Sequence, residues 1–248
     1  MYEPRFYQGW YNKKLNSFKI CYRETDLLIR TENLDREYYY HFIKKLRLEI
    51  DDYINDNKNF LDSLTPLKIK DGDPEVIKTL KRYAFKVGVG PMAGIAGLFA
   101  EKTGRSILNG YQTNKVIIEN GGDIFIASDE ECIIGIYAGH KSKLSGRIGI
   151  KIQPGSTPLG ICTSAATVGP SLSLGSADAV VVIADSTVLA DLMATALGNK
   201  VKDSKNIEEA IEVAKNVKDV RGIVIIRKDN IGIWGDIELI KINKKSSN

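Results

Sequence analysis

The sequence predicts an α/β fold, and three observations carry that expectation. Two stretches, one after Asp35 and one after Asp73-Pro74, repeat apolar residues at helical spacing. From Lys115 to Thr163, short apolar runs rich in β-branched residues alternate with turn residues. Ala179-Val180-Val181-Val182-Ile183 is apolar throughout, the signature of a strand covered on both faces.

The elements follow in order. Phe18 to Tyr22 and Leu27 to Ile29 read as strands around the turn Glu24-Thr25-Asp26. Asp35 is placed to cap a long helix whose stripe is Tyr39, Phe42, Ile43, Leu46, Ile50, Tyr53 and Ile54. Asp73-Pro74 opens another, with Val76, Ile77, Leu80, Tyr83, Ala84 and Val87 facing inward. Between Gly88 and Gly110 the chain turns rich in Gly and Ala; Pro91 opens a helix there and Thr103-Gly104 is expected to close it. Strands are expected at 115–118, 124–126, 132–137, 148–152 and 160–163. Asp185-Ser186-Thr187 caps a helix ending near Gly198, Asn206 and Glu209 suggest a capping box, and a hairpin joins Ile223–Ile226 to Ile231–Trp234. No repeat or linker divides the 248 residues, so 1–248 is read as one domain, with room for two intimate subdomains.

Composition narrows the function. The net charge of +4 is spread along the chain without a basic block, which argues against nucleic acid and suits an anionic metabolite. Three widely spaced cysteines form no CxxC pair, so neither a zinc site nor a disulfide framework is expected. The longest strongly apolar run, Ala179 to Ala184, is about a third of a membrane span. The first residues carry no apolar signal core, so a cytoplasmic protein is expected. No pattern decides between a monomer and a homo-oligomer.

Three constellations stand out. In Glu119-Asn120-Gly121-Gly122-Asp123-Ile124, paired glycines permit positive φ and let a ligand approach the backbone. They serve equally as a tight turn. The helix from Val188 to Leu197 is apolar nearly all round, with Asp191 and Thr195 its only polar residues, one turn apart on a single stripe. A buried carboxylate needs a partner. Two hard oxygens at this spacing suit Mg²⁺; the alternative is that Asp191 pairs with a Lys or Arg, or caps a neighbouring helix. The loop from Thr163 through Ser164 and Ala165 to Ser171 offers small residues, hydroxyls and backbone amides, fit for a phosphate or for an ordinary surface loop. The only histidines, His41 and His140, have no acid placed beside them by sequence, and no Ser-His-Asp arrangement is found.

Taken together and in order, three segments resemble the ApbE-like superfamily of magnesium-dependent FAD:protein FMN transferases. Asn120-Gly121-Gly122-Asp123-Ile124 is similar to its Asn-Gly-Gly-Asp-Ile motif, and Ala190 to Leu197 to its Ala-Asp-Ala-x-Ala-Thr-Ala-Leu helix. Ala93 to Ala100 resembles its Gly-Gly-Ile-Ala-Lys-Gly-Tyr-Ala segment. The chain looks like a branch common in methanogenic archaea. The resemblance implies mixed sheets with helices packed outside, and Mg²⁺ held by Asp191, Thr195 and the backbone carbonyl of Ala96. It implies an FAD or FMN nucleotide lying along Asn120, Gly121, Gly122, Asp123, Thr163, Ser164 and Ala165. The activity would be transfer of FMN from FAD or cleavage of its pyrophosphate; the alternative is a flavin-binding protein without turnover. Two departures bear on this. Gly97 stands where the family has Lys, and Gly169 to Gly175 replaces the family's His-x-x-Asp-Pro-x-Thr-Gly stretch. Ser164-Ala165-Ala166-Thr167 also resembles the core of the sites such transferases modify, though Ile161 stands where the usual upstream Asp would be, which makes Thr167 a weak candidate for flavinylation.

Overall fold

The computed structural model describes residues 15–140, 142–165 and 175–242. Strand β1 (Asn16–Tyr22) turns through Arg23 into β2 (Thr25–Thr31). Then comes the helical section: α1 (Arg36–Asp56), α2 (Lys58–Asp62), α3 (Glu75–Val87), a 3-10 turn (Pro91–Gly94) and α4 (Ile95–Tyr111). Strands β3 (Val116–Asn120), β4 (Asp123–Ala127), β5 (Cys132–Gly135), β6 (Ile148–Ile152), β7 (Leu159–Ser164) and β8 (Ala179–Ala184) follow. The chain continues through α5 (Thr187–Lys200), a 3-10 turn (Ser204–Asn206), α6 (Ile207–Lys215), β9 (Val220–Arg227), β10 (Asn230–Gly235) and β11 (Glu238–Lys241).

The α/β class holds. An eight-stranded sheet runs in the order β1-β2-β3-β4-β7-β8-β9-β10, and a three-stranded sheet in the order β11-β6-β5. All their pairings are antiparallel, so strand direction alternates throughout and no parallel pair is mixed in. Alternation along each strand divides the core. On one face of the large sheet, Ile118, Phe125, Cys162, Val182 and Ile223 meet the helices. On the other, Ile117, Ile124, Ile161, Val181 and Val224 meet Ile134 and Ile150 of the small sheet. That is why β8 is buried on both faces although its neighbours run antiparallel: helices cover one side and a second sheet the other. Among the described residues no single helix is long and apolar enough to cross a membrane.

Several local expectations are met. Asp35 caps α1 by accepting from the Tyr38 amide, and Ser186 caps α5 by accepting from Leu189. Others are corrected. Helix α4 does not close at Thr103-Gly104 but runs to Tyr111, and a Cβ at Gly104 would sit 2.1 Å from the Phe125 ring. Glycine there is required by the approach of β4, not by a helix end. Pro74 sits at the N-cap of α3 rather than in its first turn, and the Asp73 carboxylate before it is taken by Lys81. The capping box near α6 is made by Asp203 and Asn206, one turn earlier than expected.

Candidate functional site

The glycine pair forms a two-residue hairpin turn. Asn120 pairs with Asp123 across the ends of β3 and β4, and Gly121 and Gly122 between them have φ of +68° and +107°. Positive φ at both positions is what a tight hairpin joining twisted strands requires. Glu119 faces the small sheet and accepts from the Gly122 amide at 3.0 Å. Asn120 and Asp123 face the helices. The Asn120 side-chain amide donates to the Ala96 carbonyl at 3.1 Å, tying the turn to the start of α4. A Cβ built on Gly121 meets nothing within 4 Å, so the tip itself is open.

Helix α5 is buried along most of its length, as its apolar circumference demands, and Asp191 is 7% exposed. Thr195, one turn on, is half-buried, so the polar stripe is where the helix meets the outside. Asp191 Oδ2 accepts from the Gly97 amide at 2.8 Å. The first turn of α4 leaves its amides unsatisfied, and its own cap position is Gly94, with no side chain to help. Asp191 therefore does cap a neighbouring helix. The other alternative fails: among the described residues, no Lys or Arg pairs with Asp191 or Asp123.

The capping is reciprocal. Glu101 of α4 accepts from Ser186 Oγ at 2.7 Å and from the Thr187 and Val188 amides at 2.7 and 3.2 Å, at the start of α5. The two helices run in opposite senses and touch closely. A Cβ on Gly97 would lie 2.6 Å from the Thr187 carbonyl oxygen and 2.9 Å from Asp191 Cβ. Gly97 is thus fixed by this contact, which leaves no room for a Lys side chain at that position.

Two buried acids share the space between sheet and helices. Burial pushes Asp123 up to about 7; the Glu119 charge adds to this, while the Cys162 thiol and the Thr163 amide oppose it. Burial also pushes Asp191 well up, reinforced by Asp123 and opposed by the Gly97 amide. Cys162 rises too, from burial and from the two carboxylates; its thiol lies 3.4 Å from the Thr187 carbonyl oxygen. Gly122 faces the Thr163 carbonyl, and Ser164 Oγ faces Gly198 of α5. Ala165 is half-buried just beyond β7. Residues 166–174, with Thr167 and most of the segment replacing the family's His-containing stretch, lie outside the described residues.

The residues present fit a divalent cation. Asp123, raised by burial and by Glu119, in turn raises Asp191, and neither has a positive partner among the described residues, a deficit that a cation would relieve. Among the described residues, no group of three or more His, Cys, Asp or Glu side chains forms a metal cage. Mg²⁺ does not need such a cage: it takes one or two carboxylates and completes its shell with other oxygens, water and phosphate. The Gly/Ala-rich helix and the helix of Asp191 meet closely, as their small residues lead one to expect, but sequence reasoning missed Glu101. The available signal was a carboxylate one turn after a glycine in an alanine-rich helix.

Comparison with known proteins shows the family and the fold. A family model described as AbpE bacteria matches residues 8–223. The chain belongs to that family. A UPF0280 protein of Methanocaldococcus jannaschii is 37% identical over 245 residues, covering 95% of this chain and 96% of the relative. Another, from Methanococcus vannielii, is 36% identical over 242 residues, covering 94% and 96%. In structure, the flavin transferase ApbE of Vibrio cholerae matches with a TM-score of 0.58 over 89% of this chain and 96% of its own, at 13% identity. The flavinyl transferase ApbE of Pseudomonas stutzeri matches with 0.58 over 89% and 94%, at 11% identity. At these identities the likeness is one of fold. The ApbE-like fold expected from the three motifs is therefore the fold of this chain.

Proposed function

We propose that this protein binds a flavin nucleotide together with Mg²⁺ between the β3–β4 turn, the end of β7 and the facing starts of α4 and α5. The observation that carries this reading is the pair of buried carboxylates, Asp123 and Asp191, with no Lys or Arg partner among the described residues and an open glycine turn beside them. Asp191, Thr195 and the Ala96 carbonyl would hold the metal. Bound there, Mg²⁺ supplies charge neutralisation at pyrophosphate oxygens. Asn120 positions the Ala96 carbonyl, Gly121 and Gly122 leave the backbone open to a phosphate, and Thr163, Ser164 and Ala165 line the far side. The reaction is transfer of FMN from FAD to an acceptor hydroxyl, or to water in simple cleavage. The acceptor oxygen bonds to the FMN phosphorus as AMP leaves.

The test is AMP release from FAD and Mg²⁺, with and without candidate hydroxyl acceptors, read by chromatography. Release that disappears in Asp191→Asn is the expected result; no AMP under any condition overturns the catalytic reading. One observation favours a second reading, binding without turnover: the family's His-containing stretch is replaced by Gly169 to Gly175. That reading predicts a rise in melting temperature with FAD or FMN and no AMP. Absence of any shift at saturating flavin overturns it as well. A cytoplasmic location and an archaeal source complete the reading.

A further inference from the structure

Glu101 lies outside the ligand set just proposed, yet both its oxygens are engaged. Oε2 takes the Ser186 hydroxyl and two amides at the start of α5. Oε1 takes Arg105 Nε at 2.8 Å. The Glu101 side chain is 13% exposed, while Arg105 is 46% exposed, so the contact to α5 is the sheltered one. A carboxylate on free amides at a helix N-terminus also meets the favourable end of the helix dipole. Asp191 follows one turn later and reaches back to α4 through Gly97. The pairs Glu101–Thr187 and Asp191–Gly97 thus form two rungs between the same two helices.

From this geometry we propose that Glu101 is a positioning residue for Asp191. Its carboxylate fixes the first turn of α5 against α4, and so sets where the Asp191 carboxylate stands relative to the Ala96 carbonyl. The proposal rests on the reading of Asp191 as a cation ligand, and its test separates the two. Mn²⁺ alone, titrated by electron paramagnetic resonance, is the probe for the cation. Glu101→Ala should weaken Mn²⁺ binding about tenfold or more, as loss of an orienting partner does at metal sites. Glu101→Gln keeps an acceptor oxygen at the same reach and should recover most of that loss. Tyr53→Phe, which removes a hydroxyl bonded to Asp73 far along the chain, should lower the melting temperature and leave Mn²⁺ binding unchanged.

The second readout is local. Exchange of the Gly97 amide proton should quicken about tenfold in Glu101→Ala relative to the Ile118 amide, which reports global opening. If wild-type protein binds no Mn²⁺, the cation reading falls, and the amide readout alone decides the role of Glu101. Selective quickening at Gly97 upholds it. Unchanged Gly97 exchange, or wild-type Mn²⁺ affinity in Glu101→Ala, overturns it. Should Glu101→Ala not fold, Ser186→Ala removes one donor from the same carboxylate and takes its place. Selective quickening at Gly97 in that variant upholds the role of Glu101, and unchanged exchange overturns it.

Discussion

Two places in this molecule bury carboxylates, and they are settled in opposite ways. Asp73 sits in a closed knot: Lys81 Nζ is 2.6 Å away, the Tyr53 hydroxyl donates at 2.7 Å, and the Lys70 amide donates at 2.9 Å. Burial alone would push Asp73 up, but these bonds outweigh it and hold it below the ordinary range. Lys81 is likewise held above its own, burial being overcome by Asp73 and Tyr53. Asp123 and Asp191 are as deeply placed, yet their partners are amides and a thiol, and both are pushed up. The first region is complete in itself and joins α1 to α3. The second has no positive partner among the described residues, and the cation proposed above is what would supply one.

The contrast can be broken first at its larger energy. Lys81→Met strands Asp73 in the core, and chemical denaturation should show a loss of about 3–5 kcal/mol, the usual cost of removing one partner of a buried pair. A loss near zero would mean that the knot holds no more tightly than a surface pair.

The next test uses pH, because the two regions respond with opposite signs. Asp123 has a folded pKa raised from the ordinary 3.8 to about 7. Its contribution to stability is therefore fully present below about pH 3.8 and is lost as pH rises through about 7. For Asp73, held low, the contribution is present above the ordinary carboxylate value and is lost on acidification below it. In melting curves without metal, the difference between Asp123→Asn and wild type should move in favour of the variant from pH 4 to pH 8. A difference independent of pH would remove the electrostatic half of the comparison.

The smallest expected effect separates geometry from charge. Gly97→Ala adds only a methyl, but places it against the Thr187 carbonyl and Asp191 Cβ. Overpacking of this kind costs about 1–3 kcal/mol. It should reduce Mg²⁺-dependent stabilisation while leaving the Asp73–Lys81 knot as it was, seen as unchanged protection of the α3 amides.

The sequence announced much of this and was silent on the rest for definite reasons. Periodicity revealed α1, α3 and β8 because each needs only local spacing to be read. The polar stripe at Asp191 and Thr195 was visible because every other position around that helix is apolar. The end of α4 was misjudged because Gly104 looks like a stop signal, and only the ring of Phe125, a strand away, shows it to be a contact. Glu101 was missed for the same reason. Its place one turn after a glycine is a faint mark, because its partners, a hydroxyl and two amides, lie 85 to 87 residues further on. The strand order of the large sheet was also beyond reach, since β4 pairs with β7 across an excursion that builds a second sheet.

That second sheet sets an order of construction. Its middle strand, β6, is flanked by β5 from just upstream and by β11 from far downstream, with Glu238 to Lys241 opposite Lys151 to Ile148. A chain emerging from the ribosome makes β5 and β6 early and must hold them as a two-stranded ribbon, which is barely stable in water. Until β11 arrives, β6 presents a bare edge open to any extended segment nearby.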